Sequence, residues 1–294
     1  MRARSWLWTL CLLRRTAALL VVVLAGGIFS ATMVRFSPGF GVDERELDSR
    51  LSSDTLAAIR QSHAENRSVI HFYAHYLGSM LQGRFGVSSR FQRPISELMH
   101  ERLHVSLRSL APALPLTWII AFSAALSVTA IRNRVADGVS SIAAGGLMAT
   151  PAAMVALWAA STGHGVEIAL ILILAPAMYR YSRNILERSF RKTHVMAARA
   201  RGIGTASLMC WHVLPTAAPQ LIGLIAVSLS MAFGALIPVE FICDSPGVGQ
   251  LALQAALGRD LPLLVTLTLM VTVITYSANA AADAANQALA PVSA

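Results

Sequence analysis

His71 and His75 stand four residues apart in the polar stretch 35–106, with His63 nearby, and two histidines on one helical face can hold a transition metal. No carboxylate or cysteine completes that set, so solvated or interfacial histidines beside Phe72 and Tyr76, and no metal, are expected. Phosphate chemistry is also absent. A phosphate cradle needs glycine backbone followed by Gly-Lys-Ser/Thr, and the single lysine, Lys192, is followed by Thr193 but preceded by "SFR". Ser30, Ser123, Ser127 and His164 form no nucleophile motif of the G-x-S-x-G kind. Ion-coupled carriage would place ionisable residues inside membrane helices; the candidates, Asp137, Glu167, Glu240 and Asp283, fall at or near the ends of apolar runs. What remains is residues 196–215, "MAARARGIGTASLMCWHVLP", a polar, arginine-bearing segment between two apolar runs. Ala197, Ala198 and Ala200 let a helix approach another surface closely, Arg199 and Arg201 can meet acidic groups, and Gly202 can take the positive φ that ends a helix. Pro215 suits the first turn of a new helix, where a missing N–H costs nothing.

The elements that position this segment follow from composition. The chain of 294 residues is 55% hydrophobic and 13% charged, with mean hydropathy +0.58, against about 25% charged in soluble domains. A helix crossing the hydrocarbon layer needs roughly 20 apolar residues, and six stretches qualify: residues 16–34, 107–130, 139–161, 166–181, 217–239 and 262–282. The third and fourth are parted only by "TGHG" at 162–165, so they read as two spans joined by a turn or as one broken span. The net charge of +9 is almost all arginine. Beside long apolar runs, such charge marks topology rather than nucleic-acid binding. Arg2, Arg4, Arg14 and Arg15 precede the first span, Arg132 and Arg134 follow the second, and the run from Arg180 to Arg201 follows the fourth. These clusters share one side, the cytoplasm, if "TGHG" turns on the opposite side; both termini are then cytoplasmic. The first run exceeds the 7 to 15 residues usual for the apolar part of a cleaved signal, so it is read as a retained span. Cys11, Cys210 and Cys243 suggest no disulfide framework.

Between the first two spans the arginines and carboxylates of residues 35–106 nearly balance. Asp54 can cap a helix over "DTLAAIRQSH", and Ile70, Tyr73, Leu77 and Met80 line one face of an amphipathic helix at 69–81.

The segment 196–215 resembles the EAA loop of ABC importer permeases, E-A-A-x(3)-G-x(9)-I-x-L-P. Ala197, Ala198, Gly202, Leu214 and Pro215 fall on the pattern, while Met196 stands for the glutamate and His212 for the isoleucine. "RFSPG" at 35–39, "YLGSMLQGRFGVS" at 76–88, "PISELMHERLHVSL" at 94–107, "VEFICDSPGVGQL" at 239–251 and "ALGRDLP" at 256–262 are similar to the first permease of dipeptide, oligopeptide and nickel importers. Phe40 and Arg84 stand where that family usually has aspartate, and "TGHG" replaces a longer periplasmic loop; loops carry specificity, so the solute is left open.

The resemblance implies an all-α integral membrane protein of about six transmembrane helices in the type I importer permease fold. Residues 1–34 would be the cytoplasmic N-terminus and first span, 35–106 a periplasmic helical insert, and 107–294 the permease domain, with a cytoplasmic EAA loop at about 183–215. It implies a non-catalytic channel subunit without cofactor in the bacterial inner membrane. Its partners would be a second permease subunit, two ATP-binding subunits and a periplasmic solute-binding protein, with no nucleic acid. Ala197, Ala198, Arg199, Ala200, Arg201, Gly202, Leu214 and Pro215 would couple to the ATPase, and Glu240, Pro246, Gly247, Gly249, Arg259 and Asp260 form the periplasmic family motif. The alternative is an ion-coupled secondary transporter.

Overall fold

The computed structural model of the chain describes Val21, Ala25, Gly78, Ser79 and residues 82–131 and 133–289. The helix expected from Asp54, the histidines His63, His71 and His75, the segment "RFSPG", and all but two residues each of the first span and of the helix at 69–81 lie outside the described residues.

Among the described residues the chain runs through α1 Ile95–Ile131, α2 Arg134–Ala149, α3 Ala152–Ala160, α4 Gly165–Phe190, α5 Thr193–Ala200 and α6 Thr205–Leu208. A π-helical turn Met209–Val213 follows, then α7 Leu214–Ile242, α8 Val248–Leu257 and α9 Leu261–Leu289. Four stretches are long and apolar enough to cross a membrane: α1, α4, the continuous rod Thr205–Ile242 and α9. α2 and α3 pass that test together, but they are bent by 86°.

That bend divides the third span expected over 139–161. This break, between Thr150 and Pro151, is additional to the turn at "TGHG". A residue before proline is pushed out of the helical region, and Thr150 is extended at φ −73°, ψ 126°. Its N–H turns back to Leu147 O (3.2 Å) and its hydroxyl to Gly146 O (3.1 Å), satisfying carbonyls that the break frees. "TGHG" is a tight turn, as expected. A side chain at Gly165 would lie 3.0 Å from Ala159 O.

Pro215 lies in the first turn of α7, as expected, but the rod of the fifth span begins earlier, at Thr205, and runs into α7 without a break. A proline ring crowds the carbonyl four residues back. Just ahead of it the helix widens, and Leu214 N–H reaches back five residues to Met209 O. Other span ends extend beyond the apolar runs because amphipathic turns continue them. α1 begins at Ile95, burying Ile95 and Leu98 while Glu97 and Glu101 face out beside Arg93. α4 continues to Phe190, with Ser182, Leu186, Ser189 and Phe190 buried.

The chain divides into two compact units. One comprises Arg102–Gln250 and Thr275–Ala294. Here α4 packs on α7, α2 and α3, around Ala121 and Ala125 of α1, Ala144 of α2, Met178 and Leu186 of α4, Val195 and Ala198 of α5, and Met209, Val213 and Ala217 of the fifth rod. The other comprises the described residues up to Glu101 with Leu251–Ile274, where Ile95, Leu98, Leu251, Ala255, Leu263 and Leu267 are buried.

Candidate functional site

Hydrogen bonds set the direction of each helix in the larger unit. Ser109 of α1 donates to Glu167 of α4 (3.0 Å), and Ser106 of α1 donates to Glu240 of α7 (2.5 Å). The Ser106–Ser109 turn of α1, the start of α4 and the end of α7 therefore lie at one level. At the opposite end Asp137 of α2 pairs with Arg183 of α4, and Phe190, Val195, Ala198 and Leu208 join one core. Arg134, Arg183, Arg188, Arg191, Arg199 and Arg201 gather there as the sequence pattern required, whereas Arg180, expected with them, stands a turn of α4 earlier.

The segment 196–201 sits at that arginine-rich end on α5. Val195 and Ala198 are buried, three apart, and pin α5 to its own bundle. The remaining positions, Met196, Ala197, Arg199, Ala200 and Arg201, are exposed. Ala198 thus meets this chain's own core, whereas the other small residues are free to meet a second surface. Gly202 closes the helix at φ +80°, with its N–H on Arg199 O at 2.9 Å, the left-handed conformation that glycine takes without penalty. Gly204 caps α6 in an extended conformation that any residue adopts (φ −59°, ψ 150°). Leu214 is half-buried and Pro215 exposed. Sequence reasoning did not single out Trp211, which is 76% exposed on the π-helical turn.

At the other end, Glu240 is fully buried. Its carboxylate accepts from Ser106 Oγ (2.5 Å), Gly249 N (2.7 Å) and Gln250 N (3.3 Å), while Ser106 Oγ accepts from Val248 N (2.7 Å). One carboxylate thus binds the first turn of α8 to the last turn of α7 and to α1. This answers the donors that open a helix, which otherwise have no partner. Gly247 and Gly249 belong to the same cradle: a Cβ at Gly247 would fall 2.2 Å from Glu240 Oε1, and one at Gly249 2.5 Å from Leu236 C and O. Pro246 is exposed on the turn. Ser106 and Gln250 belong here too; no local pattern marks them, since they meet Glu240 only in the folded bundle.

Asp260 lies in the smaller unit and is likewise fully buried. It accepts from Ser88 Oγ (2.5 Å), Arg90 N (3.1 Å) and, as the cap of α9, Leu263 N (3.3 Å). Arg259 beside it turns the chain at φ 52°. Asp260→Ala should leave two backbone donors and a buried hydroxyl unanswered, at about 1–3 kcal/mol. The purified transporter should therefore unfold at a lower temperature than wild type, and an unchanged Tm would show that Asp260 has no such role.

Packed helices long and apolar enough to cross a membrane, with a bent pair and a short exposed helix at one end, define a multi-pass membrane protein. The chain belongs to the family described as binding-protein-dependent transport system inner membrane component, which matches residues 106–292. A Brucella ovis protein with a peptide-permease name is 25% identical over 300 residues, 92% of this chain and 94% of its own length. The glutathione transport system permease of Salmonella choleraesuis is 25% identical over 279 residues, 86% of this chain and 88% of its own. The metal-staphylopine import system permease of Staphylococcus aureus is 32% identical over 124 residues, 42% of this chain and 40% of its own. The chain is accordingly a permease component of an ABC importer, not an ion-coupled carrier, and a multi-pass protein of the inner membrane.

Proposed function

We propose that this chain, paired with a second permease subunit, forms the path by which a peptide or related small solute from a periplasmic binding protein crosses the inner membrane. Two cytoplasmic ATP-binding subunits power it, one docking on the exposed face of α5. The observation that carries this reading is the division of α5 into a buried side and an exposed side. Val195 and Ala198 lock it to Leu186, Phe190 and Leu208, so a push on Met196, Ala197, Arg199, Ala200 and Arg201 is delivered to α4 and the fifth rod. A packed core transmits such a push as a rigid displacement rather than absorbing it. The solute class follows the peptide and glutathione names of the relatives.

Orientation and power source are tested separately. A reporter fused after Arg201 should read cytoplasmic and one fused near Arg67 periplasmic; both on one side would sink the arrangement. Purified alone, the chain should hydrolyse no ATP, because it contains no phosphate cradle. Turnover by the isolated subunit that is lost on mutating Lys192 would overturn the division of labour.

A further inference from the structure

Arg180 stands in the spanning part of α4, fifteen residues after the helix begins at Gly165. At 1.5 Å per residue that is about 22 Å along the helix, still within a hydrocarbon layer of about 30 Å. Arg183, one turn on, is answered by Asp137 and Glu187. Arg180 is exposed, and among the described residues no carboxylate lies within ion-pair distance of it. Its one polar contact among the described residues is with Met148 Sδ, at 3.5 Å, and a thioether is a weak acceptor.

The direction of the side chain is informative. Asp137 meets Arg183 and Ser140 meets Tyr179, so α2 runs antiparallel to α4. Met148 therefore lies further toward the start of α4 than Arg180 itself. The guanidinium reaches back into the membrane, away from the end where Arg188 and Arg191 stand. A snorkelling arginine would do the reverse.

Two neighbouring observations fit an aqueous rather than a lipid surrounding. Met148 is two residues before the break at Thr150 and Pro151, and irregular backbone at membrane depth survives only when buried in protein or lining an aqueous cavity. The positions around Arg180 on α4 are also polar and exposed, Tyr181 at 47% and Asn184. By contrast, Ile119 and Ile120 on α1 and Val139 and Ile142 on α2 turn apolar side chains outward.

We propose that Arg180 lines the translocation path and receives the carboxylate of the solute as it crosses. This rests on the permease reading above and names the group recognised, an anion that a guanidinium can hold through paired N–H donors. An anionic lipid headgroup would offer a similar partner, and the test separates the two.

The test uses the complete transporter in membrane vesicles, with Cys11, Cys210 and Cys243 replaced by serine. Arg180→Cys should react with a water-soluble anionic methanethiosulfonate at least about tenfold faster than Ile142→Cys, and trialanine should slow that reaction. In uptake assays Arg180→Ala should raise the KM for trialanine by about tenfold or more, the loss expected for a charge-assisted hydrogen bond. Its effect on kcat should be smaller, Arg180→Lys should recover part of the loss, and trialanine amide should be little affected. Labelling as slow as at Ile142→Cys would place Arg180 against lipid or protein and overturn the proposal, as would equal changes for the acid and the amide. If wild type imports neither peptide, the peptide reading falls, while labelling still decides whether Arg180 faces the path.

Discussion

Gly249→Ala should leave little folded permease in the membrane, although it adds a single methyl group. The new Cβ would stand 2.5 Å from C and O of Leu236 and 2.7 Å from N of Ile237, all backbone atoms inside α7. A flexible side chain could move aside; a helix backbone cannot without breaking its ladder. Overpacking of this kind costs about 1–3 kcal/mol or more, and here it also pushes Gly249 N–H away from Glu240. Gly247→Ala should be milder, because its Cβ meets the Glu240 carboxylate, which can swing away if it gives up its bonds to Ser106, Gly249 and Gln250. Gly223→Ala is the control. It lies in the same long helix with nothing within 4 Å of a Cβ, so it should be neutral or stabilise by about 0.5–1 kcal/mol. Membrane abundance and the Tm of the extracted complex give the readout; a Gly249 variant matching the Gly223 variant would refute the close approach of α8 to α7.

Gly202→Val should abolish most solute uptake and weaken co-purification of the ATP-binding subunits, while the membrane bundle stays intact. The cause is backbone geometry, since a side chain at 202 would meet nothing within 4 Å. At φ +80°, a β-branched residue pays about 1–2 kcal/mol or more and relaxes by re-aiming the end of α5. The exposed Arg199 and Arg201 would then no longer present the same surface. Gly204→Val is the matched control: the same bulk, equally open, on a backbone already extended at φ −59°. Uptake is measured with membrane abundance in parallel. Normal uptake by the Gly202 variant would remove the main support for a coupling role, and equal loss in both variants would indicate general damage to the loop.

What the chain determines by itself is whatever depends on neighbours in sequence. Runs of apolar residues long enough to cross a bilayer identify the second, fourth, fifth and sixth spans to within their amphipathic ends, since bilayer thickness is a fixed external ruler. Alternating arginine clusters predict which helix ends gather, and of the expected groups Arg134 and the arginines from Arg183 to Arg201 share an end, while Arg180 stands a turn earlier in α4. The turn at "TGHG" and the positive φ of Gly202 are legible because glycine marks turns and takes a left-handed backbone without penalty.

The tertiary structure decided the rest, because it depends on what lies opposite. Prolines occur inside α1, α4 and α7 as well as at 151, yet only at Pro151 does a helix part; whether a helix survives a lost N–H depends on how its neighbours pack and re-satisfy the backbone. Pro215 reads as a helix start, and so it is for α7, but only the structure shows the widened turn that joins this start to the helix before it. Ala198 and Ala197 are alike in sequence, and only the packing of α5 sends one into the core and leaves the other outside. Glu240 reads as a carboxylate at a span end, but its partner Ser106 lies 134 residues away, and Ser88 lies 172 residues from Asp260. Buried carboxylates must find donors. No local pattern says which ones, because hydrogen bonds across a fold are set by the packing that brings distant segments within 3 Å.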